Sequence, residues 1–370
     1  MTDVDTRLDL ITRGTAEVLN RDLLASLLAS GMPLRHYIGF EISGRIHLGT
    51  GLMAMAKVRD LQRAGVECQV FLADWHTWIN DKLGGDMETI RQVASGYFAE
   101  GLRAGLRATG GDADEVRFVL GTDLYHANDD YWATVLEVSK ATSLSRMQRS
   151  VTILGRREGA ALDFAKLVYP AMQAADVFAL GAHIVHAGLD QRKAHVIAID
   201  AASALTRLPL RGPSGEKLKP VAVHHPLIMS LAPPARADGE DPAAAAKMSK
   251  SNPNSAIFID DTEEDVRRKI RRAFCPPAEV EGNPVLNWAR HLVFDAMQSE
   301  LVVPSATAGP TRVVAYDELA GAYAEGRVHP GDLKAALTGW LLDVLADARA
   351  HFTTGPGREL RDQLLRLQGA

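Results

Sequence analysis

The stretch HYIGFEISGRIHLGTGLMAMAKVRDLQRAGVECQVFLA, residues 36–73, decides how this chain folds. A short apolar run, Tyr37–Ile42, passes through a glycine-rich turn into an amphipathic stretch from Leu48 to Arg63. A second apolar run, Cys68–Ala73, follows. Strand, helix and strand at this repeat length predict a parallel sheet with a crossover helix packed on it. The alternation continues through Ile90–Leu106 (helix), Val116–Leu120 (strand), Tyr131–Arg157 and Leu162–Leu180 (helical), His183–Ala187 (strand), Gln191–Leu205 (helix) and Val221–His224 (strand). The expected class is α/β, a Rossmann-like doubly wound parallel sheet. Such sheets take ligands in the crevice beyond the carboxyl ends of their strands, where strand order reverses.

Outside that sheet the patterns differ. Residues 1–33 repeat apolar side chains three and four apart, as at Leu19, Leu23, Leu24, Leu27 and Leu28, and read as a helical segment. The sheet region is expected over 34–231. Residues 232–246, APPARADGEDPAAAA, carry no periodicity and read as a mobile loop within a linker, 232–260. From 261 to 370 the strand pattern gives way to helical stretches, so an all-helical C-terminal domain is expected. The 370 residues leave room for two domains. With 46% hydrophobic residues and a net charge of −5, the chain is neither disordered nor a general coat for nucleic acid. No apolar run is long enough to span a membrane, and the acidic start lacks the look of a secretory signal. Two cysteines, Cys68 and Cys275, fit a reducing cytoplasm.

Two clusters carry chemistry. In GFEISGRIHLGTG, Gly39 to Gly51, a strand ends and a helix begins. Glycines there let backbone approach a ligand, and a helix N-terminus offers N–H groups to phosphate. Neither a P-loop nor a GxGxxG spacing is present at this strand end. KMSKS, Lys247 to Ser251, follows the loop. Two lysines on a flexible segment can neutralise charge developing on a leaving pyrophosphate. A third pattern lies on one helix: Tyr169, Gln173 and Asp176, spaced by four and three, share a face otherwise flanked by Val168, Met172 and Val177. Polar groups converging from an apolar helix call for partners, and a polar ligand can supply them.

The His-x-Gly turn and KMSKS, in this order and about 200 residues apart, form the two-part signature of class I aminoacyl-tRNA synthetases. With LADWHTWIN, VYPAMQAADV, GLDQRK, AFCPPAEVEGNP and HPGDLK they resemble tyrosyl-tRNA synthetases of the archaeal and eukaryotic type, from about Leu34 to Phe352. The resemblance implies a tyrosine–tRNA ligase that forms tyrosyl-adenylate from ATP with Mg2+ and passes the tyrosyl group to tRNA(Tyr). It places tyrosine against Tyr37, Tyr169, Gln173, Asp176 and Gln191. It places ATP against Gly39, Glu41, His47, Gly49, Asp190, Lys247, Ser249 and Lys250, and assigns catalysis to His47, Thr50, Lys247 and Lys250. His329, Pro330 and Asp332 fall where the family reads the anticodon, and a homodimer in the cytoplasm is implied. No structural metal, organic cofactor or membrane is expected.

The chain departs from the family at several points. Thr50 stands where many relatives carry a second histidine, the loop before KMSKS is long, and Leu292 replaces an aromatic. Trp75, Trp78, Leu124 and Tyr125 change the lining near the amino-acid pocket. A carboxylate at Asp176 and a hydroxyl at Tyr37 can meet both the donor and the acceptor of a phenol, whereas an indole N–H only donates. That separates tyrosine from the alternative, a tryptophanyl-tRNA synthetase. A further alternative is a paralogue with a biosynthetic or RNA-binding role. In residues 262–370, 13 Lys+Arg stand against 15 Asp+Glu, so RNA contact is expected at local sites such as the basic run Arg267–Arg272.

Overall fold

The computed structural model describes residues 3–155, 163–234, 253–305 and 309–368. Five parallel strands form its centre: β2 (Arg35–Phe40), β3 (Glu67–Leu72), β4 (Val116–Leu120), β5 (Ile184–Gly188) and β6 (Val221–His225). Their order across the sheet is β6-β5-β2-β3-β4. Strand order reverses between β2 and β5, and the crevice beyond their carboxyl ends lies there. The doubly wound α/β class read from the sequence is present.

The N-terminal segment differs from the helix expected over 1–33. A helix, Val4–Thr12, is followed by a strand, β1 (Glu17–Leu19), and a second helix, Arg21–Ser30. β1 adds to the sheet edge antiparallel to β6, with Glu17 opposite His224. Asn20 then turns in the left-handed region at φ 62°, and its side-chain amide donates to the Pro220 carbonyl at 2.9 Å. Three residues are too few to display a period of two, so the flanking helical repeat hid this strand. The first helix is fastened by Lys57, whose buried Nζ donates to the carbonyls of Leu10, Ile11 and Arg13 at 3.1, 3.2 and 2.6 Å. Burial lowers its pKa to about 8.

The C-terminal part is helical over Glu263–Arg272, Tyr316–Ala324, Pro330–Val344, Ala346–Thr353 and Arg358–Leu367, with one more helix opening at Pro284–Trp288. Besides these it holds a two-stranded antiparallel ladder, β7 (Leu301–Val303) and β8 (Thr311–Val313), which the sequence pattern did not signal. Among the described residues no helix is long and apolar enough to cross a membrane.

One junction positions the crevice. Ile46–Leu48 is laced to Ile257–Ile259 by the bonds Leu48 N to Ile257 O (3.1 Å) and Ile259 N to Ile46 O (3.0 Å). Arg45 adds charge-assisted bonds to Asp260 (2.7 Å) and Asp261 (2.9 Å), and its guanidinium lies over the Phe258 ring at 4.3 Å. The glycine-rich turn is thereby tied to the segment downstream of KMSKS.

Candidate active site

β2 delivers the first residues of the site. Alternation along the strand puts Tyr37 and Gly39 on one face. A Cβ at Gly39 would stand 2.7 Å from the Tyr37 hydroxyl oxygen, so only glycine leaves that hydroxyl its place. The chain then bends through Glu41, and the helix after His47 opens with a wide turn over Gly49–Met53, where the amides of Thr50 and Gly51 donate to the His47 carbonyl at 3.0 and 2.8 Å.

The helix Phe164–Ala179 supplies the facing wall. Its N-terminus is capped by Asp163, which accepts from the Lys166 amide at 3.1 Å. Tyr169, Gln173 and Asp176 share one face, as their spacing predicts. The Tyr169 hydroxyl donates to Glu41 Oε1 at 2.7 Å, and the Asn80 amide donates to the same oxygen at 3.0 Å. Gln173 Nε2 donates to Gln191 Oε1 at 3.3 Å, and Gln191 Nε2 in turn donates to the Ile153 carbonyl at 3.1 Å. Asp176 is fully buried, and its Oδ1 accepts from the hydroxyls of Tyr125 (3.0 Å) and Tyr131 (2.9 Å).

Between these walls lies a cavity of about 560 Å3 at the carboxyl ends of β2, β5 and β6. Tyr37, Gly39, Glu41, His47, Gly49, Thr50, Tyr169, Gln173, Asp176, Asp190 and Gln191 all line it. Lys247, Ser249 and Lys250 lie outside the described residues. Three other lining residues, His76, Lys82 and His225, were missed by sequence reasoning. His76 stands between Trp75 and Trp78 in LADWHTWIN, and a single histidine there gives no periodic signal.

Burial dominates the electrostatics. It raises the Asp176 carboxyl to about 8, although the bonds from Tyr131 and Tyr125 pull the other way and the Asp74 charge adds to the rise. It lowers the His76 imidazole to about 3, so this ring is neutral at pH 7. Tyr169 is held well above the usual tyrosine range, first by burial and then by the neighbouring Glu41 charge. Among the described residues, three buried polar atoms in the cavity walls have no hydrogen-bond partner: Asp176 Oδ2, His76 Nε2 and Gln173 Oε1. Buried polar groups are nearly always paired, so an unpaired cluster on one cavity marks where a polar ligand belongs.

His329, Pro330 and Asp332 stand apart from this cavity, at the start of the helix Pro330–Val344. His329 is its N-cap, with Nδ1 accepting from the Gly331 amide at 3.0 Å, and Pro330 fills the first helical position. The basic run splits. Arg267, Arg271 and Arg272 are exposed, but Lys269 is buried and ion-paired with Asp261 at 2.6 Å. Lys269 serves the junction behind Arg45 and is withdrawn from any RNA surface.

The family model for class I tRNA synthetases (W and Y) matches residues 29–346. A tyrosine–tRNA ligase of Thermococcus sibiricus is 50% identical over 363 residues, 96% of each chain. The crystal structure of the Pyrococcus horikoshii tyrosyl-tRNA synthetase with L-tyrosine superposes with a TM-score of 0.93 at 48% identity, over 98% of this chain and 100% of that one. A tryptophanyl-tRNA synthetase from Aeropyrum pernix shares the fold at a TM-score of 0.65 and 18% identity, over 94% of this chain and 85% of its own. A doubly wound sheet with its cavity at the β2/β5 reversal, and a match that runs nearly end to end, make this chain a member of the class I tRNA synthetases for tryptophan and tyrosine.

Proposed function

We infer that the chain is a tyrosine–tRNA ligase. The observation that carries this reading is the set of unpaired buried atoms, because two of them, Asp176 Oδ2 and Gln173 Oε1, find donors on L-tyrosine. A phenol hydroxyl donates to Asp176 Oδ2, and an ammonium group donates to Gln173 Oε1, one helical turn away. The Tyr37 hydroxyl, buried at the same end of the cavity, is then the donor to the phenol oxygen. A phenyl ring would leave Asp176 Oδ2 and the Tyr37 hydroxyl unsatisfied, the general reason that a site built for a hydroxyl rejects its deoxy analogue; tyrosine against phenylalanine is the standard example.

In the first step the tyrosine carboxylate attacks the α-phosphorus of ATP and pyrophosphate leaves. In the second a terminal ribose hydroxyl of tRNA(Tyr) attacks the acyl carbon and AMP leaves. The protein supplies position and charge rather than covalent chemistry. Backbone at Gly39 and Gly49, with His47, Thr50, Glu41 and Asp190, surrounds the ATP end of the cavity in this reading. By the family resemblance, Lys247 and Lys250, with Ser249 between them in sequence, supply charge to the phosphates, and Mg2+ enters with ATP as part of the substrate.

A patch formed by Trp78 (44% exposed), Trp132 (43%) and Leu136 (65%), with Trp75 packed edge-on to both tryptophans, supports a homodimer contact. The helical end reads the anticodon around His329, Pro330 and Asp332, and the enzyme works in the cytoplasm. Pyrophosphate exchange measured with each amino acid tests the core of this reading. Tyrosine should support exchange and the other amino acids should not, and exchange driven by tryptophan instead would overturn it.

A further inference from the structure

Asp176 is the residue on which tyrosine selection turns in this reading, yet nothing on its own helix orients it. Its carboxylate is held by two side chains that do not line the cavity. Tyr125 comes from the helix Gly121–His126 and Tyr131 from the first position of the helix Tyr131–Lys140. Their rings are stacked 4.0 Å apart at 21°. Both are buried, and both hydroxyls donate to the same oxygen, Oδ1, at 3.0 and 2.9 Å. Oδ2 is left without a donor.

The neighbouring imidazole sharpens the point. Each tyrosine hydroxyl has one proton, and both protons go to Oδ1. The Tyr125 oxygen can then only accept from His76 Nδ1, 3.4 Å away. That interaction places the ring proton on Nδ1 and leaves Nε2 an acceptor. Nε2 stands 3.5 Å from Asp176 Oδ2, buried and unpaired. With the Asp176 carboxyl ionised, two acceptors face each other and cannot satisfy one another, and what they lack is a donor between them.

We propose that Tyr125 and Tyr131 are positioning residues for amino-acid specificity: by saturating Oδ1 they fix the carboxylate plane and leave Oδ2, beside His76 Nε2, as the acceptor for one O–H donor at the blind end of the pocket. The proposal rests on the tyrosine reading above and extends it to residues that never touch the substrate. The stacked pair also makes the arrangement stiff, because neither ring can rotate without displacing the other from a close-packed core.

The test uses the conservative variants Tyr125→Phe and Tyr131→Phe in the full chain, compared with wild type in pyrophosphate exchange with tyrosine and with high concentrations of phenylalanine. Thermal unfolding of each variant is recorded alongside. For each variant KM for tyrosine should rise about tenfold with kcat within twofold, while kcat/KM for phenylalanine stays within twofold, so that the preference for tyrosine falls about tenfold. Equal losses for both amino acids, or no change for tyrosine, would overturn the proposal and leave the pair a packing element. If one variant fails to fold, the other still removes one of the two hydrogen bonds to Oδ1. A wild-type enzyme that does not exchange with tyrosine would overturn the functional reading itself, a result visible before any variant is compared.

Discussion

Asp176 sits in an environment that favours its neutral form, raised by burial to about 8. A carboxyl with a raised folded-state pKa binds a proton that the unfolded chain has already released, so the fold loses stability as pH rises from the ordinary carboxylate range toward 8. Asp176→Asn removes that penalty. It also places an amide donor toward His76 Nε2 while its carbonyl still accepts from Tyr125 and Tyr131. The variant should be more stable than wild type at pH 7 by about 1–3 kcal/mol in denaturant titration, yet nearly inert toward tyrosine; a loss of stability would contradict this account. The spacing of Tyr169, Gln173 and Asp176 was legible in the sequence because a helix repeats. The partners of Asp176 were not, since Tyr125 and Tyr131 lie 51 and 45 residues away and meet it only through packing.

Among the elements, the strands at the reversal point carry buried histidines. His36 on β2 packs 5.5 Å from His186 on β5, whose Nε2 meets Nδ1 of His225 on β6 at 2.8 Å. His195 meets His224 at 3.0 Å, and Glu17 of β1 stands 3.0 Å from the other nitrogen of His224. Burial holds His36 down to about 3 and His186 and His195 well below the ordinary range. These rings are neutral when folded and protonate when unfolded, so stability is full above pH 6.5 and is lost as pH falls toward 3. Thermal unfolding between pH 7 and 5 should show Tm falling, and His36→Leu, which removes a ring with two unpaired nitrogens, should flatten that slope. An unchanged slope would show that other groups set the acid limit. Hydrophobic patterning could mark these strands but not this cluster, because a histidine on a buried face looks the same in sequence as one at a strand end. β1 escaped for the related reason that three residues show no period.

In the whole molecule, the net charge of −5 conceals where an RNA could dock. The run Arg267–Arg272 reads as one basic surface, but Lys269 and Ile270 turn inward and only Arg267, Arg271 and Arg272 are fully exposed. Arg271→Glu with Arg272→Glu should lower kcat/KM for tRNA charging by about tenfold and weaken its salt dependence, leaving tyrosine-dependent pyrophosphate exchange intact; equal loss in both assays would point to a folding defect. The long α/β alternation made the sheet and its crevice readable from the sequence, and motif residues from β2, the turn after it and the helix Phe164–Ala179 line that crevice. The measurement that tests the central claim most directly is ATP-dependent charging of tRNA(Tyr) with tyrosine and tryptophan in competition. The account predicts that tyrosine alone is esterified to the terminal ribose, and tryptophan attached in its place would contradict it.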